Sequence, residues 1–328
     1  MLKAEFELTN PPQDGITSTT FAPTHPHHLL ATSWDSTATL YDIQEDNVLR
    51  RRDFGTPILD GCFVNPRTVL LGGLDKSVRL WDCEDDATMI LGDHEAAVKC
   101  VRFSDETNLA VSGSWDKTMR LWDPRSSKPL VGTYDQGHKV FSMDMTGNMI
   151  VVGMSERQIH IHDVRKLDTP LQQRESSLKL STRCVKCMPN GEGYVISSIE
   201  GRIAVEFFDP SEEIQAHKYA FKCHRQNIDG VDNIYPVNAI AFHPIHGTFA
   251  SGGGDGAVNI WDWWSKKRIK QYSKYPTSIA SMSFNSDGTL LAIASSYTFE
   301  QGELESNPGD SIFIRQVASN ETKPKPRQ

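Results

Sequence analysis

One phrase recurs along nearly the whole chain, and a recurring unit constrains a fold more than any single motif, because each copy must bury its apolar face against the next. The clearest copy is Ser112-Gly113-Ser114-Trp115-Asp116-Lys117-Thr118-Met119-Arg120-Leu121-Trp122-Asp123. Looser copies run Thr32-Ser33-Trp34-Asp35 to Tyr41-Asp42, Gly72-Gly73-Leu74-Asp75 to Trp81-Asp82 and Gly252-Gly253-Gly254-Asp255 to Trp261-Asp262, with two more degenerate ones between. Closing aspartates at Asp42, Asp82, Asp123, Asp163, Asp209 and Asp262 are spaced by 40, 41, 40, 46 and 53 residues.

These are WD-repeat periods, stretched twice by insertions. Within a copy, alternating segments such as Val98-Lys99-Cys100-Val101-Arg102-Phe103 are cut by Gly, Asp and Ser turns, which means short antiparallel strands. A seventh unit reads Ile279 to Phe284, Leu290 to Ala294 and Ile312 to Arg315, without the Trp-Asp ending. The expectation is an all-β, seven-bladed WD-repeat β-propeller in one domain over residues 1–318, with a disordered C-terminal tail over 319–328. Phe6-Glu7-Leu8 is the strand expected to close the last blade beside Ile312, since a ring hides its edges only when its ends meet. His94, Ser112, Asp116 and Trp122 resemble the hydrogen-bonded tetrad of such repeats and read as structure.

Charge and cysteines bound the function. The net charge is -8, so any polyanion site must be a local patch on an acidic body. No run of eighteen apolar residues and no signal-like N-terminus is present, and six scattered cysteines argue for reduced thiols, so an intracellular soluble protein is expected. Gly252 to Ala257 matches a dinucleotide fingerprint but runs into Val258-Asn259-Ile260-Trp261, a strand where a helix is required. Cys184-Val185-Lys186-Cys187 lacks a second pair and reads as core, and His160-Ile161-His162 lacks a nameable third ligand. No catalytic constellation, cofactor site or metal site emerges, so no enzyme is expected.

Two features exceed what the fold needs. The residue before the turn aspartate is Leu74, Ser155, Ile199 or Gly254 in four copies but tryptophan in two, Trp34 and Trp115. Large aromatics in turns on one face mark a contact surface. The span from Gln172 to Arg225 carries a net of +1 against -9 for the remainder, and ends in Lys218-Tyr219-Ala220-Phe221-Lys222-Cys223-His224-Arg225, a mixture of cations and aromatics suited to an anionic peptide.

Beyond the repeat, Arg174-Glu175-Ser176-Ser177-Leu178-Lys179, Thr182-Arg183-Cys184, the run from Ser197 to Glu206, Phe221-Lys222-Cys223-His224-Arg225, Tyr235-Pro236-Val237-Asn238-Ala239, Tyr275-Pro276-Thr277-Ser278-Ile279-Ala280 and Ile312 to Val317 form a narrower signature. It resembles the budding-uninhibited-by-benzimidazole checkpoint propeller, the WD-repeat subunit of the spindle assembly checkpoint, from Phe6 to Lys325. Cys83 and the double Trp263-Trp264 are local departures. A sister family, the messenger-RNA export propeller that docks on a nucleoporin, shares Phe221 to Arg225 and Phe242-His243-Pro244.

The checkpoint resemblance implies a non-catalytic scaffold in the nucleus, at kinetochores in mitosis. It further implies a monomeric propeller within hetero-complexes, with no cofactor, nucleic acid or membrane of its own. Its partners would be GLEBS motifs of a checkpoint kinase and its paralogue, and phosphorylated MELT repeats of the kinetochore scaffold. Carried onto this chain, Trp34, Trp115 and Arg183 would hold the GLEBS peptide, and Arg202 and Lys222 the phosphothreonine. A third reading comes from Trp122-Asp123-Pro124-Arg125, which fits the box used by substrate receptors of cullin ubiquitin ligases.

Overall fold

The computed structural model describes residues 4–303, 306 and 308–324. Seven four-stranded antiparallel sheets follow one another along the chain, so that residues 16–53, 58–93, 98–135, 140–175, 182–222 and 237–271 form blades I to VI. Blade VII takes three strands from residues 279–316 and its outermost from Glu5–Glu7. Glu5, Phe6 and Glu7 pair with Arg315, Ile314 and Phe313, and the Leu8 amide donates to the Ile312 carbonyl at 2.8 Å. The expected closure is therefore present. Among the described residues no helix is long and apolar enough to cross a membrane.

The first strand of each blade lines the axis, and each touches the first strands of both neighbours around the whole ring. Apolar side chains fill the space between blades: Leu30 and Leu40 of blade I pack with Ile58, Phe63 and Leu71 of blade II, and Val111 and Leu121 of blade III with Met143 and Val152 of blade IV. Every first strand also carries a β-bulge at the same place, just after its first residue. The residues it leaves unpaired are Thr17, Leu59, Lys99, Phe141, Arg183, Asn238 and Ala280. A bulge re-aims a side chain, and here all seven line the central channel.

The tetrad forms as expected in blade III. The His94 ring lies 2.9 Å from Asp116 Oδ2 and 2.7 Å from Ser112 Oγ, which also accepts from Trp122 Nε1 at 2.8 Å. A second complete tetrad, His224, Asp255, Ser251 and Trp261, braces blade VI. In blades IV and V the tryptophan position is filled differently, because any set that satisfies its own polar atoms will serve. In blade IV it is His162, whose Nε2 shares Gln136 Oε1 with His160 Nδ1, each at 3.0 Å. In blade V it is Glu206, buried, accepting from Ser177 Oγ at 2.8 Å with Arg174 3.9 Å away.

Two expectations are corrected. Gly193 pairs with Phe207 as Met149 pairs with Asp163, so Phe207, not Asp209, ends the fifth repeat. The tail expected to be disordered from 319 instead begins with a helical turn, Ser319–Thr322, because the Thr322 carbonyl accepts from Thr248 Oγ1 at 2.7 Å and its hydroxyl meets His246 Nδ1 at 2.9 Å. Residues 325–328 lie outside the described residues.

Candidate functional site

The face on which the first strands begin and the second strands end carries the sequence-predicted residues. In each blade the amide after the second strand donates to the loop that precedes the first: Trp34 to Gly15, Leu74 to Pro57, Trp115 to Ala97, Ser155 to Lys139, Ile199 to Ser181, Gly254 to Pro236 and Ser296 to Ser278. Seven backbone bonds thus fix one ring of positions and leave their side chains unspecified. The ring reads Trp, Leu, Trp across blades I to III. Trp34 is 43% and Leu74 38% exposed, and Trp115 is half-buried. Leu74 joins two aromatics into one apolar arc, a role a single copy of the repeat does not disclose.

Trp34 overhangs a cavity of about 600 Å³ that opens onto the channel. Arg183, Lys99 and Asp14 also line it, with Tyr297 and Phe299 from the long loop of blade VII. Trp34 and Arg183 therefore share one cavity, whereas Trp115 sits two blades along the same face and does not line it. Gly15 permits the indole to lie flat, since a Cβ there would stand 3.1 Å from Trp34 Cδ1. Arg183 reaches the cavity because it is a bulge residue. Lys99 occupies the same offset in blade III, which is the signal that would have found it in the sequence.

Deeper in the channel the charges are paired. Arg102 lies 2.7 Å from Asp60 and 2.9 Å from Asp144, and Lys186 lies 3.4 Å from Asp144, a chain of alternating sign across blades II to V. Burial opposes the Arg102 charge, but Asp60 and Asp144 outweigh it and hold the guanidinium well above its ordinary range. For Asp144, burial is overcome by Lys186 and Arg102, and its carboxyl stays below the usual value. Among the described residues Lys99 and Arg183, nearer the mouth, make no ion pair of this kind, so two cations line the cavity there together with Asp14.

Arg202 and Lys222 come together on the outer half of blade V, where they are direct cross-strand partners on Arg202–Phe207 and Tyr219–Lys222. Lys222 is exposed, and Arg202 Nε lies 3.6 Å from Glu200 Oε2. The turn that leads into Arg202 is specific: Gly201 has φ +60°, and a Cβ there would stand 2.8 Å from the Cys223 carbonyl. Arg225 Nη2 donates to the Glu200 carbonyl at 2.8 Å, and the Lys179 amide to Glu200 Oε1 at 2.8 Å. Arg202 thus faces a carboxylate that already accepts a backbone bond, on a residue whose carbonyl is held by Arg225. Not all of the cationic-aromatic phrase belongs to this patch: His224 is a tetrad member and Phe221 packs on Trp261, centroids 4.8 Å apart. On the opposite face, Arg125 folds back onto Asp123, its Nε 2.8 Å from Oδ1.

Comparison with known proteins now becomes informative. The WD domain, G-beta repeat family matches residues 86–123 and 218–262, the two stretches that hold the complete tetrads. A solved structure, that of U3-55K, superposes with a TM-score of 0.81 over 96% of this chain and 98% of that one, at 14% identity, which speaks for the fold alone. The chain is 34% identical to the messenger-RNA export factor GLE2 of Chaetomium thermophilum over 99% of its length and 94% of that protein. It is 50% identical to mitotic checkpoint protein BUB3.1 of Arabidopsis thaliana over 98% of its length and 95% of that protein. With that identity end to end, on a seven-bladed propeller, the chain belongs to the BUB3 mitotic checkpoint family of WD-repeat proteins.

Proposed function

We propose that this protein is a scaffold of the mitotic checkpoint, without chemistry of its own, that holds two different peptides on one propeller. The Trp34 face takes a GLEBS segment of a checkpoint kinase or its paralogue, and the Arg202–Lys222 pair takes a phosphothreonine of a MELT repeat. This places its work in the nucleus and at kinetochores. The observation that carries the reading is an exposed indole sharing a channel-mouth cavity with two cations, Trp34 with Arg183 and Lys99. An aromatic anchor beside cations suits an amphipathic segment with acidic side chains. The neighbouring pair suits phosphate, whose charge of about -2 and three acceptors call for converging donors.

Calorimetry with three peptides tests it. Trp34→Ala should weaken a GLEBS peptide about thirtyfold, equivalent to about 2 kcal/mol, and leave a phosphorylated MELT peptide unaffected. Arg202→Ala or Lys222→Ala should weaken the phosphorylated peptide ten- to a hundredfold and leave the GLEBS peptide unaffected. Equal affinity of the unsubstituted protein for phosphorylated and unphosphorylated MELT peptides would overturn the phosphate assignment. An export role through a nucleoporin GLEBS segment uses the first surface but not the second, so the phosphopeptide arm separates the two.

A further inference from the structure

Blade VII departs from the other six in the connection between its second and third strands. In blades I to VI that connection is three or four residues long, whereas in blade VII it spans residues 296–310. Two antiparallel strands need no such excess to pair, and loops of this length inside a compact domain are usually functional. Its first part carries Tyr297, Thr298 and Phe299 into the lining of the Trp34 cavity.

This part of the loop is braced. The Tyr297 hydroxyl accepts from the Gln301 amide at 2.8 Å and donates to the Gly302 carbonyl at 2.9 Å. The Glu300 carboxylate accepts from Thr298 Oγ1 within the loop, from Asn238 Nδ2 of blade VI at 3.2 Å, and from Ser278 Oγ ahead of blade VII at 3.2 Å. Gly254 leaves room for that carboxylate, since a Cβ there would stand 2.9 Å from Glu300 Oε1. The ring position that holds tryptophan in blades I and III is thus bare in blade VI, where the loop of blade VII comes down.

Within the clasp Phe299 has φ +58°, a left-handed backbone that is costly for a bulky side chain. Its ring lies 5.3 Å from that of Tyr297 and is 61% exposed. Glycine would hold the turn without strain, and a polar residue would suit the exposure. Strained backbone that presents an apolar ring to water marks a ligand clamp rather than a requirement of the fold.

We propose that Phe299 is a second aromatic anchor of the peptide site, gripping from blade VII the same apolar side chain of the GLEBS segment that Trp34 contacts from blade I, and that Glu300 is the positioning residue that holds it there. This rests on the assignment of the Trp34 cavity to that segment. The occupant is a bulky apolar side chain with an acidic neighbour, because Trp34, Tyr297 and Phe299 line the cavity together with Lys99 and Arg183. A ring fixed in advance by its loop loses little entropy on binding, which is how a short peptide gains affinity from few contacts.

Calorimetry with the GLEBS peptide of a checkpoint kinase, on the full chain, tests the proposal. Phe299→Ala should weaken binding about tenfold, and Phe299→Tyr should restore it. Phe299→Gly should weaken binding as much as alanine does without lowering the thermal midpoint, because glycine relieves the left-handed backbone. Glu300→Ala should weaken binding about fivefold alone and have no further effect in the Phe299→Ala background, since a positioning residue acts only through the group it positions. Losses from Trp34→Ala and Phe299→Ala should be less than additive, because both rings grip one side chain. Full affinity in Phe299→Ala beside a loss in Trp34→Ala would overturn this proposal and leave the peptide site standing, whereas no loss in either would overturn the site itself. Additive losses for Glu300→Ala and Phe299→Ala would overturn the positioning role, and additive losses for the two aromatic substitutions would overturn the shared grip.

Discussion

At the scale of single residues, the fold depends on polar atoms that find partners out of water. His162 shows the tension. It is 1% exposed and stands where blade III has Trp122, and burial, then the nearby His160, pushes its pKa down to about 4. The folded protein therefore holds the ring neutral while the unfolded chain protonates it near 6.5. Because the folded value is the lower one, its contribution is complete above pH 6.5 and is lost as pH falls toward 4. His94 and His243 shift the same way, each chiefly by burial. His162→Phe keeps the ring and removes the titration. Urea unfolding should then show the stability difference between pH 7 and pH 5 reduced by about 2 kcal/mol relative to the unsubstituted protein. An undiminished difference would assign the pH dependence to the other histidines.

At the scale of elements, the segment that decides whether the ring is closed is the short strand Glu5–Glu7. Its three ladder positions are reinforced by Glu5, which accepts from Arg315 Nη1 at 2.9 Å and from the Tyr275 hydroxyl at 2.7 Å. Leu8, 1% exposed, plugs the space between blades VII and I. Deleting residues 1–10 removes a buried leucine worth about 2–5 kcal/mol and exposes the edge of Ser311–Gln316. A thermal midpoint lower by about 5 °C or more, with increased aggregation, is the expected outcome of a melting scan. The C-terminal turn works on the same edge from the other side, since Glu321 lies 3.6 Å from Arg315 and 3.4 Å from Lys270.

For the molecule as a whole, blades are joined around the channel by charge as well as by packing. Arg102 separates Asp60 from Asp144, and all three side chains are less than one-fifth exposed. Removing the cation would leave two buried carboxylates without their shared partner, and breaking a buried network in this way costs about 3–5 kcal/mol. Arg102→Ala should lower unfolding free energy by that order, and adding Asp60→Asn and Asp144→Asn should restore part of it, since no uncompensated charge then remains. A triple variant as unstable as the single one would show that Arg102 acts through packing. The same ring arrangement places the Trp34 cavity and the Arg202–Lys222 pair on separate parts of one closed ring.

Much of this was legible in the chain before folding. The period of the Trp-Asp phrase dictated seven blades, strand alternation dictated their antiparallel sheets, and the fixed offset of the turn dictated that Trp34 and Trp115 share a face, because identical local sequence folds into identical local geometry. What the sequence left open are the contacts between positions far apart in the chain, within a blade and between blades. Arg202 and Lys222 are twenty positions apart and meet only because an insertion returns as the fourth strand of the same blade. Lys99 joins Arg183 because bulges in separate blades turn toward one axis, and Tyr297 reaches Trp34 because blade VII closes beside blade I. Arg174 of blade IV and Glu206 of blade V, read as part of a family signature, prove to be a brace between the two blades. A repeat writes its own backbone into each copy, but which side chains of different copies converge is set by the closure of the ring.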